Sequence, residues 1–144
     1  MGLKDVFAPK ISKSNMEHVK KLLKKATDCA ALSNTTMLPS VFFPKYDELE
    51  NTLSELVKYE KYRIFKGTLP STNLRNVREN RKNDENAFIQ RSYALARKKA
   101  EEAGTPEEKT AAFTEYFDEL DKYRGRMDEF NIQVLDDLKK ISLA

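Results

Sequence analysis

The stretch from residue 39 to 66, PSVFFPKYDELENTLSELVKYEKYRIFK, sets the terms for the whole chain. Phe42, Tyr46, Leu49, Leu53, Leu56 and Val57 recur at spacings of three and four. With 3.6 residues per turn, such a series lines one face of an α-helix. Asp47, Glu48, Glu50, Lys58 and Lys61 take the opposite face, where charged neighbours three or four apart can pair. Burying a Phe or Leu side chain is worth roughly 1.5–3 kcal/mol. This helix is therefore expected to supply the largest share of the core. Either the helix begins at Pro44, in its first turn, or it begins near Pro39 and bends at Pro44; Phe42 continues the seam upstream and favours the second, with a stop at Gly67.

Composition agrees with helices throughout. Charged residues make up 34% of the chain and apolar residues 40%, with four glycines and five prolines. A charge-rich, glycine-poor chain with three-four periodicity is an all-α chain, and 144 residues suit one domain. The expected architecture is an antiparallel helical bundle of about five helices with one long central hairpin. A single domain spans residues 1–144, with residues 1–13 as an N-terminal arm.

Local signals divide the chain. Ser14-Asn15-Met16-Glu17 reads as a capping box that opens a helix over 15–31. Its buried stripe is Met16, Val19, Leu22, Leu23, Ala26 and Cys29 or Ala30. Ser33-Asn34-Thr35-Thr36 reads as a loop. After the turn at Gly67–Thr72, no Gly or Pro occurs until Gly104. One helix is expected across this span; the alternative is a break near Asn83-Asp84. Its polar stretch 78–86, RENRKNDEN, is expected to be exposed. Gly104-Thr105-Pro106-Glu107-Glu108 combines a stop, an N-cap, a first-turn proline and a capping-box acid. The helix that follows buries Ala112, Phe113, Tyr116, Phe117, Leu120 and Tyr123, and Gly125 closes it. Asp128 caps a last helix with Ile132, Leu135, Leu138 and Ile141 inward.

Met1-Gly2-Leu3, Phe42-Phe43-x-x-Tyr46, Ile64-Phe65-x-Gly67 and Phe88-Ile89-x-Arg91 resemble a group of small all-helical bacterial proteins of unknown function. The resemblance spans most of the chain and rests on core and turn residues. It implies a helical fold and carries no activity or site.

The chain is poor in reactive constellations. His18 is the one histidine and Cys29 the one cysteine, eleven residues apart, which falls short of the ligand sets of ordinary zinc sites. A catalytic triad would need His18, and no nucleophile stands near it in sequence. Four scattered glycines build no phosphate loop. No catalytic residue, metal or cofactor is expected. An enzyme would need a buried, perturbed carboxylate that sequence cannot single out. Residues 1–30 lack an apolar signal-peptide core, so a cytoplasmic location is expected.

Two surfaces remain. Tyr59, Tyr62 and Phe65 fall off the main stripe; they are candidate protein-contact residues or, equally, residues that pack under the N-terminal arm. Lys20, Lys21, Lys24 and Lys25, together with Arg75, Arg78, Arg81 and Lys82, form two basic clusters that could track phosphates. Residues 1–27 hold seven Lys or Arg against two Asp or Glu, whereas residues 100–144 hold six against twelve. The acidic segment is expected to offset the basic faces. The preferred reading is therefore a non-catalytic module or adaptor that binds another protein, and the alternative is a nucleic-acid-binding protein. Far-UV circular dichroism should show the double minimum of a predominantly helical protein with no sheet component.

Overall fold

Five α-helices and one 3-10 turn account for the regular structure of residues 10–62, 64, 65 and 67–144, the residues that the computed structural model describes. No strand occurs among them. Helix α1 spans Lys13–Thr35, α2 Pro39–Val57, α3 Pro70–Glu101, α4 Pro106–Asp121 and α5 Glu129–Ser142; the 3-10 turn is Arg124–Arg126. The all-α class is as the periodicity indicates. The expected N-terminal arm falls mainly on residues 1–9, which lie outside the described residues.

The boundaries differ where several caps compete. Helix α1 opens at Ser12, whose hydroxyl accepts the Asn15 N–H at 3.3 Å, so Ser14 lies inside the first turn. Ile11 packs against the core just before that cap and fixes where the chain enters the helix. At the other end, Ser33 and Asn34 are helical. The buried Ser33 hydroxyl donates to the Ala30 carbonyl at 3.1 Å, which satisfies it without leaving the helix.

Helix α2 begins at Pro39 and carries Pro44 within it, but ends at Val57 rather than at Gly67. Beyond Val57 the chain tightens into three-residue hydrogen-bonded turns, such as Tyr59 N–H to the Leu56 carbonyl at 2.9 Å. The tightening brings Tyr59, Ile64 and Phe65 onto the core, which a straight helix would leave off its stripe. The same segment caps the next helix, because the Glu60 carboxylate accepts the Ser71 N–H at 3.0 Å. Helix α3 is continuous through 78–86. That stretch is not wholly exposed, since Glu85 is 1% accessible.

The two downstream caps form as read. Thr105 Oγ1 accepts the Glu108 N–H at 3.2 Å, and Asp128 Oδ1 accepts the Phe130 N–H at 2.9 Å. Ile141 is a correction: it is 72% exposed. Helix α5 is nearly spent there, and its inward stripe is Leu135 with the half-buried Ile132 and Leu138.

Two compact units emerge: residues 1–33 with 44–80, and residues 34–43 with 81–144. In the first, Val19, Leu22, Ala26 and Cys29 of α1 pack with Leu49, Leu53 and Leu56 of α2 and Leu74 of α3. The Tyr46 hydroxyl donates to the Val77 carbonyl at 2.8 Å and ties α2 to α3. In the second, Phe42, Phe43, Phe88, Phe117, Leu120 and Leu135 are buried. Phe42 stacks on Phe88 at 4.4 Å, and Phe43 stacks on Tyr123 at 4.8 Å. Leu53→Ala removes a buried side chain from the middle of the first core. It should lower stability by about 2–5 kcal/mol, read from urea unfolding.

Candidate functional site

In the second unit, α3 and α4 leave an apolar hollow between them. The turn at 102–105 joins them as antiparallel neighbours. Each offers a stripe at helical spacing: Ser92, Leu95, Ala96 and Lys99 from α3, and Ala112, Glu115, Tyr116 and Glu119 from α4. Met37, Leu38 and Pro39 close its edge. The hollow measures about 150 Å³, the size of an apolar cavity that admits a benzene ring. Two of the lining residues, Ala96 and Ala112, are small.

Its floor is fixed. The Tyr116 hydroxyl meets the Ser92 hydroxyl at 2.7 Å and donates to the Ile89 carbonyl at 3.2 Å. Burial pushes the Tyr116 hydroxyl far above the ordinary tyrosine range, so it stays protonated. Tyr93 packs beside Phe113, Tyr116 and Phe117 behind it.

The mouth is fixed as well. Met37 and Leu38 are 44% and 56% exposed, although they sit in a short connection between two helices. Arg91 Nε donates to the Thr36 carbonyl at 2.8 Å, and the Leu38 N–H donates to Thr36 Oγ1 at 3.1 Å. The Arg91 guanidinium lies over the Phe88 ring at 5.3 Å, and burial lowers its pKa from the ordinary value. The backbone that carries these two exposed apolar side chains is thus tied to a half-buried arginine.

A second groove lies in the first unit, about 460 Å³ in volume. Lys21, Lys24 and Lys25 of α1 and Lys45 of α2 surround it, with Asp28, Cys29, Leu32 and Glu48. Glu48 divides its oxygens between two of these cations, Lys25 at 3.4 Å and Lys45 at 3.0 Å. The hydrogen bond from Lys45 holds the Glu48 carboxyl below its ordinary value and raises the Lys45 ammonium in return. Burial pushes the Cys29 thiol up, and the Glu48 carboxylate adds to the rise. A thiol kept protonated is a poor nucleophile.

The residues singled out from sequence are placed differently from one another. Tyr59 and Phe65 pack partly buried against the first core. Tyr59 meets the His18 ring edge-on at 5.9 Å, and Lys61 lies 5.4 Å from the centre of the half-buried Tyr62 ring. Arg75 and Arg78 are exposed on α3. Arg81 pairs with Glu85 at 3.0 Å, and the Lys82 ammonium sits 4.5 Å above the Phe130 ring. Of the four basic residues, Arg81 is half-buried and ion-paired, whereas Arg75, Arg78 and Lys82 are exposed. His18 lies 3.6 Å from Glu55 on the surface.

Glu85 is the buried carboxylate that sequence could not single out. Arg81 Nε donates to one oxygen at 3.0 Å, and the other accepts the Asp128 N–H at 3.0 Å and Asn131 Nδ2 at 3.1 Å. Asn131 Nδ2 also donates to the Lys82 carbonyl at 2.9 Å. Three donors on one carboxylate make it an anchor for the start of α5, and it lines neither groove. Glu85→Ala would remove the one acceptor that Arg81 Nε, Asn131 Nδ2 and the Asp128 N–H share. The expected loss is about 3–5 kcal/mol in chemical denaturation.

Among the described residues, no group of three or more His, Cys, Asp or Glu is placed to hold a metal ion. No helix among them is long and apolar enough to cross a membrane. Comparison with family models, with curated proteins and with solved structures returns no match.

Proposed function

We propose that this chain is a non-catalytic interaction module that binds a partner protein through the hollow between α3 and α4. One observation carries the reading: Met37 and Leu38 are exposed on a backbone that is held in place at the mouth of an apolar hollow. Displaying apolar side chains to water gains a monomer nothing. Fixing their backbone beforehand lowers the ordering cost of association. The hollow is sized for one large anchor side chain from the partner, the kind of residue that dominates interface energetics. The single cysteine, Cys29, is free and buried, and on that ground we place the module in the cytoplasm.

Nucleic-acid binding has less support from the geometry. Glu48 already engages two of the four lysines around the basic groove, and Arg81 and Lys82 are engaged on α3. The groove reading is tested by affinity capture with the wild-type chain, with Leu38→Glu and Ala112→Trp, and with Arg78→Glu as a control. A partner of the proposed kind is retained by wild type and by the control and lost by both groove variants. Rebinding with the purified partner should show at least about thirtyfold weakening, the equivalent of roughly 2 kcal/mol. Equal retention by all four baits would end the reading. Capture that instead depends on Arg78 and falls steeply with salt would favour the nucleic-acid alternative.

A further inference from the structure

The buried polar groups that line the hollow have no proton to spare. Ser92 and Ala96 are 2% and 5% exposed, whereas Lys99 and Glu115 of the same lining stand in solvent. The Ser92 and Tyr116 hydroxyls meet at 2.7 Å, and each lies 3.2 Å from the Ile89 carbonyl. Two protons serve these three contacts. If Ser92 donates to Tyr116, then Tyr116 donates to Ile89; if Tyr116 donates to Ser92, then Ser92 donates to Ile89. Both protons are spent in either arrangement, and one hydroxyl oxygen is left as an acceptor that accepts nothing.

An occupant that closes the hollow keeps water from that oxygen, and a buried acceptor without a partner costs free energy. An aliphatic or plain phenyl group would leave it so. A carbonyl or carboxylate, which only accepts, finds no donor in the pair. A phenol meets every condition. Its ring is of the size that a cavity of about 150 Å³ admits, its body is apolar like Leu95, Ala96 and Ala112, and its far end carries one O–H. We propose that the anchor entering the hollow is a tyrosine of the partner protein, whose hydroxyl donates to the Ser92–Tyr116 pair. This rests on the protein-binding reading of the same site.

The probes are p-cresol, which is the tyrosine side chain ending at Cβ, and p-tolunitrile, an aromatic ring that can only accept. Each is titrated into the wild-type chain while the Ala96 and Ala112 amide signals are followed. p-Cresol should shift both signals saturably and bind at least about threefold tighter than p-tolunitrile. The Ser92→Ala, Tyr116→Phe double variant, which removes both hydroxyls together, should lose that preference. Equal or tighter binding of p-tolunitrile to the wild-type chain overturns the donor and the tyrosine with it. p-Cresol shifts that persist in Ala112→Trp place the ring elsewhere and overturn the proposal too. In a captured partner, replacing the anchor tyrosine by phenylalanine should weaken binding by about threefold to tenfold. A partner lost with Leu38→Glu and Ala112→Trp that tolerates this replacement at every one of its tyrosines leaves the module reading standing and removes this inference alone. Selective p-cresol binding with no protein captured overturns the tyrosine and points to a free phenol as the ligand.

Discussion

A single carboxylate holds the second unit's final helix in register. Glu85 sits in a polar run of α3 and receives Arg81, Asn131 and the Asp128 N–H. Burying an ion is costly unless it is paired and hydrogen-bonded, and here each requirement is met by a different element. The Asp128 N–H belongs to the N-cap of α5, so the helix start and the ion pair share one carboxylate. The 3-10 turn is drawn in too, since Arg81 Nη2 reaches the Arg126 carbonyl at 3.4 Å. A second pair, Arg124 with Asp136 at 2.8 Å through two parallel bonds, braces the same corner from outside and holds the Asp136 carboxyl below its ordinary value. With α5 and its approach fixed, Leu135 can complete the aromatic core that supports α3 and α4.

How much of this could be read from the chain follows from the range of each interaction. Thr105-Pro106-x-Glu108 and Asp128 were legible because caps act over three residues. The core stripes were legible because burial imposes a period. Glu85 was not, because its partners Asp128 and Asn131 lie more than forty residues away, and a polar run looks solvated when its partners are unknown. Where several caps were available, at Ser12 and Ser14, the packing of Ile11 decided between them. Tyr59 and Phe65 looked surplus to a helical stripe; a change of backbone after Val57 gave them a place in the core.

The groove was hidden for a related reason. Ala112 and Tyr116 read as ordinary core positions, and both line the hollow beside Leu95 and Ala96 of α3. Only the contact between α3 and α4 shows that their outer edges share a hollow. The Arg91–Thr36 bond, which ties the backbone that carries Met37 and Leu38, joins residues fifty-five apart. An exposed methionine in a linker carries no such information by itself.

Pro44 has a consequence for motion. It lies inside α2 on an exposed face, and proline has no N–H to give to the carbonyl four residues back. The ladder of α2 is thus short of one rung where the chain passes from the core of Phe42 and Phe43 to that of Leu49, Leu53 and Leu56. A helix whose halves answer to separate cores is continuous in geometry and divided in cooperativity. Amides before and after the proline are therefore expected to differ in their protection from hydrogen exchange.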